Sequence, residues 1–206
     1  MADLAWQYCC TVMAAATMRQ SNWGARRFQA RDVTEDHDFD PEKVVHKSRI
    51  SGKDLEFMHL AIEQAKKCVP VETAYNVGAV IADTANGEVL SVGYSREIPG
   101  NTHAEQCALD KLYSQDRYSA GNLPDTLAVY TTMEPCSKRL SGNKPCAERI
   151  LESGIKLVFI AVLEPVHFVN CKGKGMLEDS GINVIHLKEL EEECKALNSH
   201  IFLGQR

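Results

Sequence analysis

The sequence predicts a three-layer α/β/α domain in which one five-stranded mixed sheet is covered by helices on both faces. Three observations predict it. Segments of helical spacing alternate with strand-like segments from residue 51 onward. The strand-like segments are short and almost continuously apolar, as strands buried on both faces must be. One pair of them is joined by Asn86-Gly87, a hairpin signal in a chain whose other strands are connected through helices.

Residues 1–50 read as an N-terminal extension, with little apolar pattern after Ala16 and an acidic cluster, Glu35-Asp36-His37-Asp38, before Pro41. Arg19, Arg26, Arg27 and Arg31 give it a faint resemblance to a mitochondrial transit peptide. A plain tail, or a start at Met13 or Met18, is the alternative. The domain is expected over 51–206. Ser51 is placed to cap a first helix, in which Leu55, Met58, Ile62 and Ala65 recur at helical spacing until Val69-Pro70 stops the run. Strands Val77–Ala82 and Glu88–Gly93 follow, and Asn86-Gly87 suits a tight turn whose two central residues both take positive φ. His103–Tyr113 reads as a helix with Ala108, Leu109 and Leu112 toward the core, and Thr126–Thr131 as a third strand. Pro145 begins the next helix and Gly154 ends it. A strand at 157–163, a short helix near Gly175–Asp179, a strand Ile182–His186 and a helix from about Glu189 to Phe202 complete the order.

Composition narrows the function classes. The chain has 23 basic and 28 acidic residues, a net charge of −5, and no basic run, so it lacks the electrostatic surface that nucleic-acid binding uses. A small-molecule substrate is expected, with neither nucleic acid nor membrane as partner. The longest apolar stretch, Leu157–Leu163, is far short of the ~20 residues of a membrane span. Eight scattered cysteines in a chain with no secretory signal imply a reducing compartment, read as the cytoplasm with the mitochondrion as alternative. There a cysteine pair holds a metal or stays reduced.

The chemistry sits in three short motifs. His103-Ala-Glu105 opens one helix, Glu134-Pro-Cys136 follows a strand, and Pro145-Cys146 opens the next helix. One histidine and two thiolates satisfy a catalytic zinc ion, which takes three protein ligands and keeps one position open. Helix N-termini favour the thiolate form of a nearby cysteine. Zinc lowers the pKa of bound water from 15.7 toward ~7, and Glu105 is the carboxylate placed to take and return its proton. His-x-Glu followed by Pro-Cys-x-x-Cys is the established signature of zinc deaminases. A structural zinc would require a fourth ligand and leave Glu105 without a task.

On these residues the chain resembles the cytidine-deaminase superfamily, and within it the pyrimidine deaminases of riboflavin biosynthesis. Glu134-Pro-Cys-Ser137, Pro145-Cys-Ala-Glu148 and Glu152-Ser-Gly-Ile-Lys156 carry the resemblance over roughly residues 55–206. Nine residues separate Cys136 from Cys146, a long loop of the riboflavin type, and it ends Ser141-Gly-Asn-Lys-Pro-Cys146 rather than as in bacterial members. With no reductase domain following, the resemblance implies the fungal order, in which reduction comes first. The implied substrate is 2,5-diamino-6-ribitylamino-4(3H)-pyrimidinone 5′-phosphate, deaminated to the 2,4-dione. Asn76 and Ala104 are the implied contacts to the ring, though Asn76 stands displaced from the family's position and reads equally as an exposed strand start. Lys138, Arg139 and Lys144 are expected to hold the phosphate, and Gly173-Lys-Gly175 to form a turn. Relatives are commonly dimers, so a homo-oligomer is expected. The competing readings are a nucleoside or nucleotide deaminase, a tRNA-editing subunit, and a zinc-stabilised module without turnover.

Overall fold

The computed structural model describes residues 50–139, 141–163 and 172–202, so the extension expected over 1–50 lies outside the described residues except for Ile50. The elements are α1 (Gly52–Ala65), β1 (Gly78–Asp83), β2 (Glu88–Tyr94), α2 (Ala104–Tyr113), β3 (Leu127–Met133), α3 (Cys146–Ser153), β4 (Leu157–Val162), α4 (Gly173–Asp179), β5 (Asn183–His186), α5 (Glu191–Ala196) and α6 (Ser199–Phe202). The sheet order is β2-β1-β3-β4-β5. β1 is antiparallel to both β2 and β3, while β3, β4 and β5 run parallel, which makes the sheet mixed.

Alternation along the strands divides the core. Ile81, Val129, Val158 and Ile160 face α2, α3 and α4, whereas Val80, Tyr130 and Phe159 face α1 and the C-terminal segment. β3 is buried at every position, because helices cover it on both sides. On the α1 side Tyr130 stacks on Phe159 with centroids 4.5 Å apart, and its hydroxyl donates to Asp54 Oδ1 at 2.7 Å. Asp54 also completes a capping box with Ser51, so one carboxylate starts α1 and ties it to the central strand.

Three elements depart most from expectation, the other boundaries lying within two residues of it. α1 ends at Ala65 rather than near Val69, which is 76% exposed and gives the helix nothing more to bury. The hairpin has a four-residue connection, 84–87, in which only Gly87 has positive φ, at 77°. Asp83 and Asn86 side chains accept backbone N–H bonds from Ala85 and Glu88, and these local bonds hold the wider turn. The single C-terminal helix is instead a 3-10 turn at Lys188–Leu190, then α5 and α6. It breaks at Asn198, whose buried amide bonds the main chain of Asn76 at 2.6 and 3.2 Å.

Two glycines set how closely the helices approach the sheet. A Cβ at Gly78 would stand 1.9 Å from the Ala61 carbonyl oxygen of α1, and one at Gly93 would stand 2.3 Å from the Ala104 carbonyl oxygen of α2. Both obstacles are helix backbone. Gly93→Ala is therefore expected to lower unfolding stability by roughly 1–3 kcal/mol in urea titration. Gly52→Ala, where a Cβ meets nothing within 4 Å, should leave it nearly unchanged.

Candidate active site

Gly93 matters for the site because the α2 backbone it admits begins with the chemistry. His103 is the N-cap of α2 in extended conformation, and its ring makes no capping bond, which frees it for another partner. Glu105, in the first turn, points inward and is 4% exposed. Cys136 lies just beyond the end of β3, and Cys146 is the first residue of α3. The nitrogen and sulfur donors of His103, Cys136 and Cys146 all lie within 4.8 Å of one another. His103 Nδ1 is 3.5 Å from each sulfur. A tetrahedral zinc ion with bonds of ~2.3 Å to sulfur and ~2.0–2.1 Å to nitrogen imposes an S–N edge of about 3.5–3.6 Å, so the cluster fits that ion.

The electrostatics favour a cation at this point. The hydrogen bond from Cys146, helped by His103 and the Cys146 backbone N–H at the start of α3, holds the Cys136 thiol down at about 4. The same pairing, together with burial, pushes Cys146 up. A divalent cation held at this point would take both sulfurs as thiolates. Burial, followed by the negative charge of Cys136, pushes Glu105 above the ordinary carboxylate range.

The loop that carries Cys136 is braced from the far side. The Lys174 N–H donates to Glu134 Oε1 at 2.8 Å, and the Lys172 N–H donates to Ser137 Oγ at 3.1 Å. Gly173-Lys-Gly175 is thus the first turn of α4 rather than an isolated turn. A Cβ on Gly173 would fall 1.7 Å from the Pro135 carbonyl oxygen, so only glycine lets α4 seat against the loop.

A cleft of about 310 Å³ opens over His103, Glu105 and Cys136. That volume suits a small molecule. Lys138 lines it. Arg139 does not: it is 8% exposed and donates to Gln106 Oε1 at 2.9 Å and to the Asn101 carbonyl. Lys144 is paired at 2.6 Å with Glu152. Ala104 packs its side chain into the core under α2. Asn76 is buried, not exposed, and its amide donates to the Leu197 carbonyl and accepts from Arg96 at 2.5 Å, so it serves the cleft wall from behind.

Two residues that line or support the site escaped the sequence reading. Thr131, fully buried on β3, has its hydroxyl 3.1 Å from Glu105 Oε1 and 3.0 Å from the Met133 carbonyl. Arg96 lines the cleft from the β2–α2 connection. Period-2 alternation placed Thr131 on the α2 side of β3 along with Leu127 and Val129, and that was the available signal.

The model of the cytidine and deoxycytidylate deaminase zinc-binding region matches residues 51–162, and the chain belongs to that family. Its relatives include the pyrimidine deaminases of riboflavin biosynthesis, as the motifs implied. The chain is 43% identical over 150 residues to the diaminohydroxyphosphoribosylamino-pyrimidine deaminase of Schizosaccharomyces pombe, which covers 70% of this chain and 35% of that protein. It is 32% identical over 131 residues to the Buchnera aphidicola protein of the same name, covering 64% of this chain and 80% of that one. Among solved structures, the Aspergillus oryzae Rib2 deaminase in complex with DARIPP is 33% identical with a TM-score of 0.61, covering 70% of this chain and 89% of that one. The chain spans about a third of the length of the S. pombe relative. Among the described residues, no helix is long and apolar enough to cross a membrane.

The bracing of the Cys136 loop leads to a metal-binding prediction. Gly173→Ala, remote in sequence from every donor, should weaken metal retention, read as faster loss of zinc to a chelator. Gly175→Ala, where a Cβ meets nothing within 4 Å, should retain metal as the parent does.

Proposed function

We propose that the chain hydrolyses 2,5-diamino-6-ribitylamino-4(3H)-pyrimidinone 5′-phosphate at its 2-amino group, releasing ammonia and leaving 5-amino-6-ribitylamino-2,4-pyrimidinedione 5′-phosphate. The observation that carries this reading is the His103–Cys136–Cys146 cluster, with its tetrahedral spacing, beside a buried Glu105. Support for the pyrimidine comes from the relatives' names and from the cleft's size. Zinc, held by His103, Cys136 and Cys146, would acidify a water so that hydroxide is available at neutral pH. Hydrolysis replaces the C–NH₂ bond of the amidine by C=O, consumes one water and releases one ammonia. Two protons must move, one to a ring nitrogen and one to the departing amine. Glu105, kept dry by burial and held at a proton affinity above that of an ordinary carboxylate, is the group that carries them.

Thr131 positions Glu105. Its hydroxyl has one proton for two acceptors, the Glu105 carboxylate and the Met133 carbonyl. It donates to Glu105 when that group is ionised. When Glu105 is protonated, Thr131 accepts from it and donates to Met133, so one rotation satisfies both states.

Ammonia release from the ribitylamino pyrimidine phosphate, compared with cytidine and dCMP, tests the substrate. Preference for dCMP would move the chain to the nucleotide deaminases. Glu105→Gln should keep fold and metal while lowering kcat by ~10²–10⁴-fold, and near-parental turnover would exclude the proton-transfer role. Cys146→Ala should lose the metal, measured by metal analysis of the purified protein. Thr131→Val removes a buried hydrogen bond to a charged partner, for which ~1.5–3 kcal/mol is typical. It should lower kcat about tenfold or more with metal content unchanged.

A further inference from the structure

The three metal donors come from separate elements, and main-chain hydrogen bonds fix the approach of the two sulfurs. The Cys136 carbonyl accepts the Ala147 N–H at 3.1 Å, and its sulfur accepts the Cys146 N–H at 3.4 Å, so the loop after β3 is tied to α3. Glu134 and Ser137 tie the same loop to α4. His103 arrives on α2 without such a bond to either sulfur's segment, and its ring makes no capping bond. What holds α2 to the Cys136 loop therefore decides whether the nitrogen stays beside the sulfurs.

Arg139 spans that gap. It follows Cys136 in the inter-cysteine loop, and its Nη1 donates to Gln106 Oε1 at 2.9 Å while Nη2 donates to the Asn101 carbonyl. The two acceptors bracket His103 and Glu105 in the chain. Asn101 has a positive φ of 56°, a conformation that asparagine tolerates better than most residues, and in it the carbonyl meets the guanidinium. The connection before α2 is closed on itself. The Arg96 N–H donates to the Thr102 carbonyl at 2.7 Å, and Thr102 Oγ1 donates to the Ile98 carbonyl at 2.8 Å. A hold on Asn101 is thus carried to His103, and the planar fork fixes the spacing at two points.

Stability alone does not account for this arrangement. Both acceptors are neutral, no carboxylate pairs with Arg139 among the described residues, and its Nε is buried without a hydrogen-bond partner. Burial of a charge on those terms costs stability that an apolar side chain of similar volume would not. Nor does Arg139 line the cleft, so its charge is not offered to the substrate. Its geometry bears on the metal instead. A metal ion leaves its donors one at a time, and a histidine held close rebinds before the next donor lets go. We propose that Arg139 is a positioning residue that keeps the Cys136 loop in register with His103 and so sets how long the site retains its metal; this rests on the zinc reading above.

The test loads the full chain with cobalt(II), whose visible ligand-field spectrum reports the donor set, and follows the loss of that spectrum to excess EDTA. Arg139→Met should lose cobalt roughly ten- to hundredfold faster than the parent. Its band should also shift, as water replaces the His103 nitrogen in part of the population; a general loss of stability leaves the band in place. Arg139→Lys, which keeps the charge and one donor but not the fork, should recover part of the retention. Lys144→Ala, which breaks the exposed pair with Glu152 in the same loop, should keep the parental rate. Parental loss from Arg139→Met, an unshifted band, or equal acceleration in Lys144→Ala overturns the proposal. Should Arg139→Met fail to fold, Gln106→Leu decides by removing one acceptor: severalfold faster loss supports the assignment and the parental rate overturns it. A parent chain that takes up no cobalt sinks the zinc reading and this assignment with it. Cobalt bound by the parent and held equally well by Arg139→Met sinks the Arg139 assignment alone.

Discussion

The hydrogen bond from the Cys146 backbone N–H to Cys136 Sγ, 3.4 Å long, is the contact on which the site depends. It joins the first residue of α3 to the loop after β3, so the positive end of a helix meets a sulfur that has to carry negative charge. α2 delivers His103 to the same point from its own N-terminus. Two helix starts thus converge beyond the end of one strand, and their positive dipole ends make that volume favourable for thiolates. The charge is then available to a cation without rearrangement of the backbone.

Close packing makes this convergence possible. Gly93 lets α2 lie against β2, and Gly173 lets α4 lie against the Glu134–Ser137 loop. In each case the displaced Cβ would strike main chain rather than a side-chain end, so the site's geometry is transmitted through backbone contacts that cannot adapt. The helix layer on this face, with the loop it supports, acts as one packed unit around the donors.

Glu105 shows the opposite use of burial. A carboxylate with 4% exposure and one hydroxyl partner is costly to ionise, and that cost is what raises its proton affinity. The neighbouring Cys136 thiolate adds to it. The same environment that makes the cluster attractive to a cation raises the proton affinity of Glu105, whose ionised and protonated forms each need a hydrogen-bond partner. Thr131 stabilises both, because a hydroxyl donates and accepts equally well.

The sequence by itself determined the element order, the sheet's composition and the identity of the cluster. Those depend on local information: the spacing of apolar residues, Pro145 before and Gly154 after α3, and motifs in which His103, Glu105, Cys136 and Cys146 are recognisable by residue type and separation. Tertiary structure decided the rest. Asn76 became a wall-bracing residue because it meets Asn198, 122 positions away, and the same contact split the C-terminal helix. The hairpin widened because Asp83 and Asn86 bond to nearby main-chain N–H groups, which competed with the tight turn the dipeptide suggests. Arg96 and Thr131 carry no motif. Their importance arises from a guanidinium drawn to the cleft wall by Val69, Tyr75 and Asn76 and a hydroxyl placed between two acceptors, and both conditions exist only once distant segments are packed together.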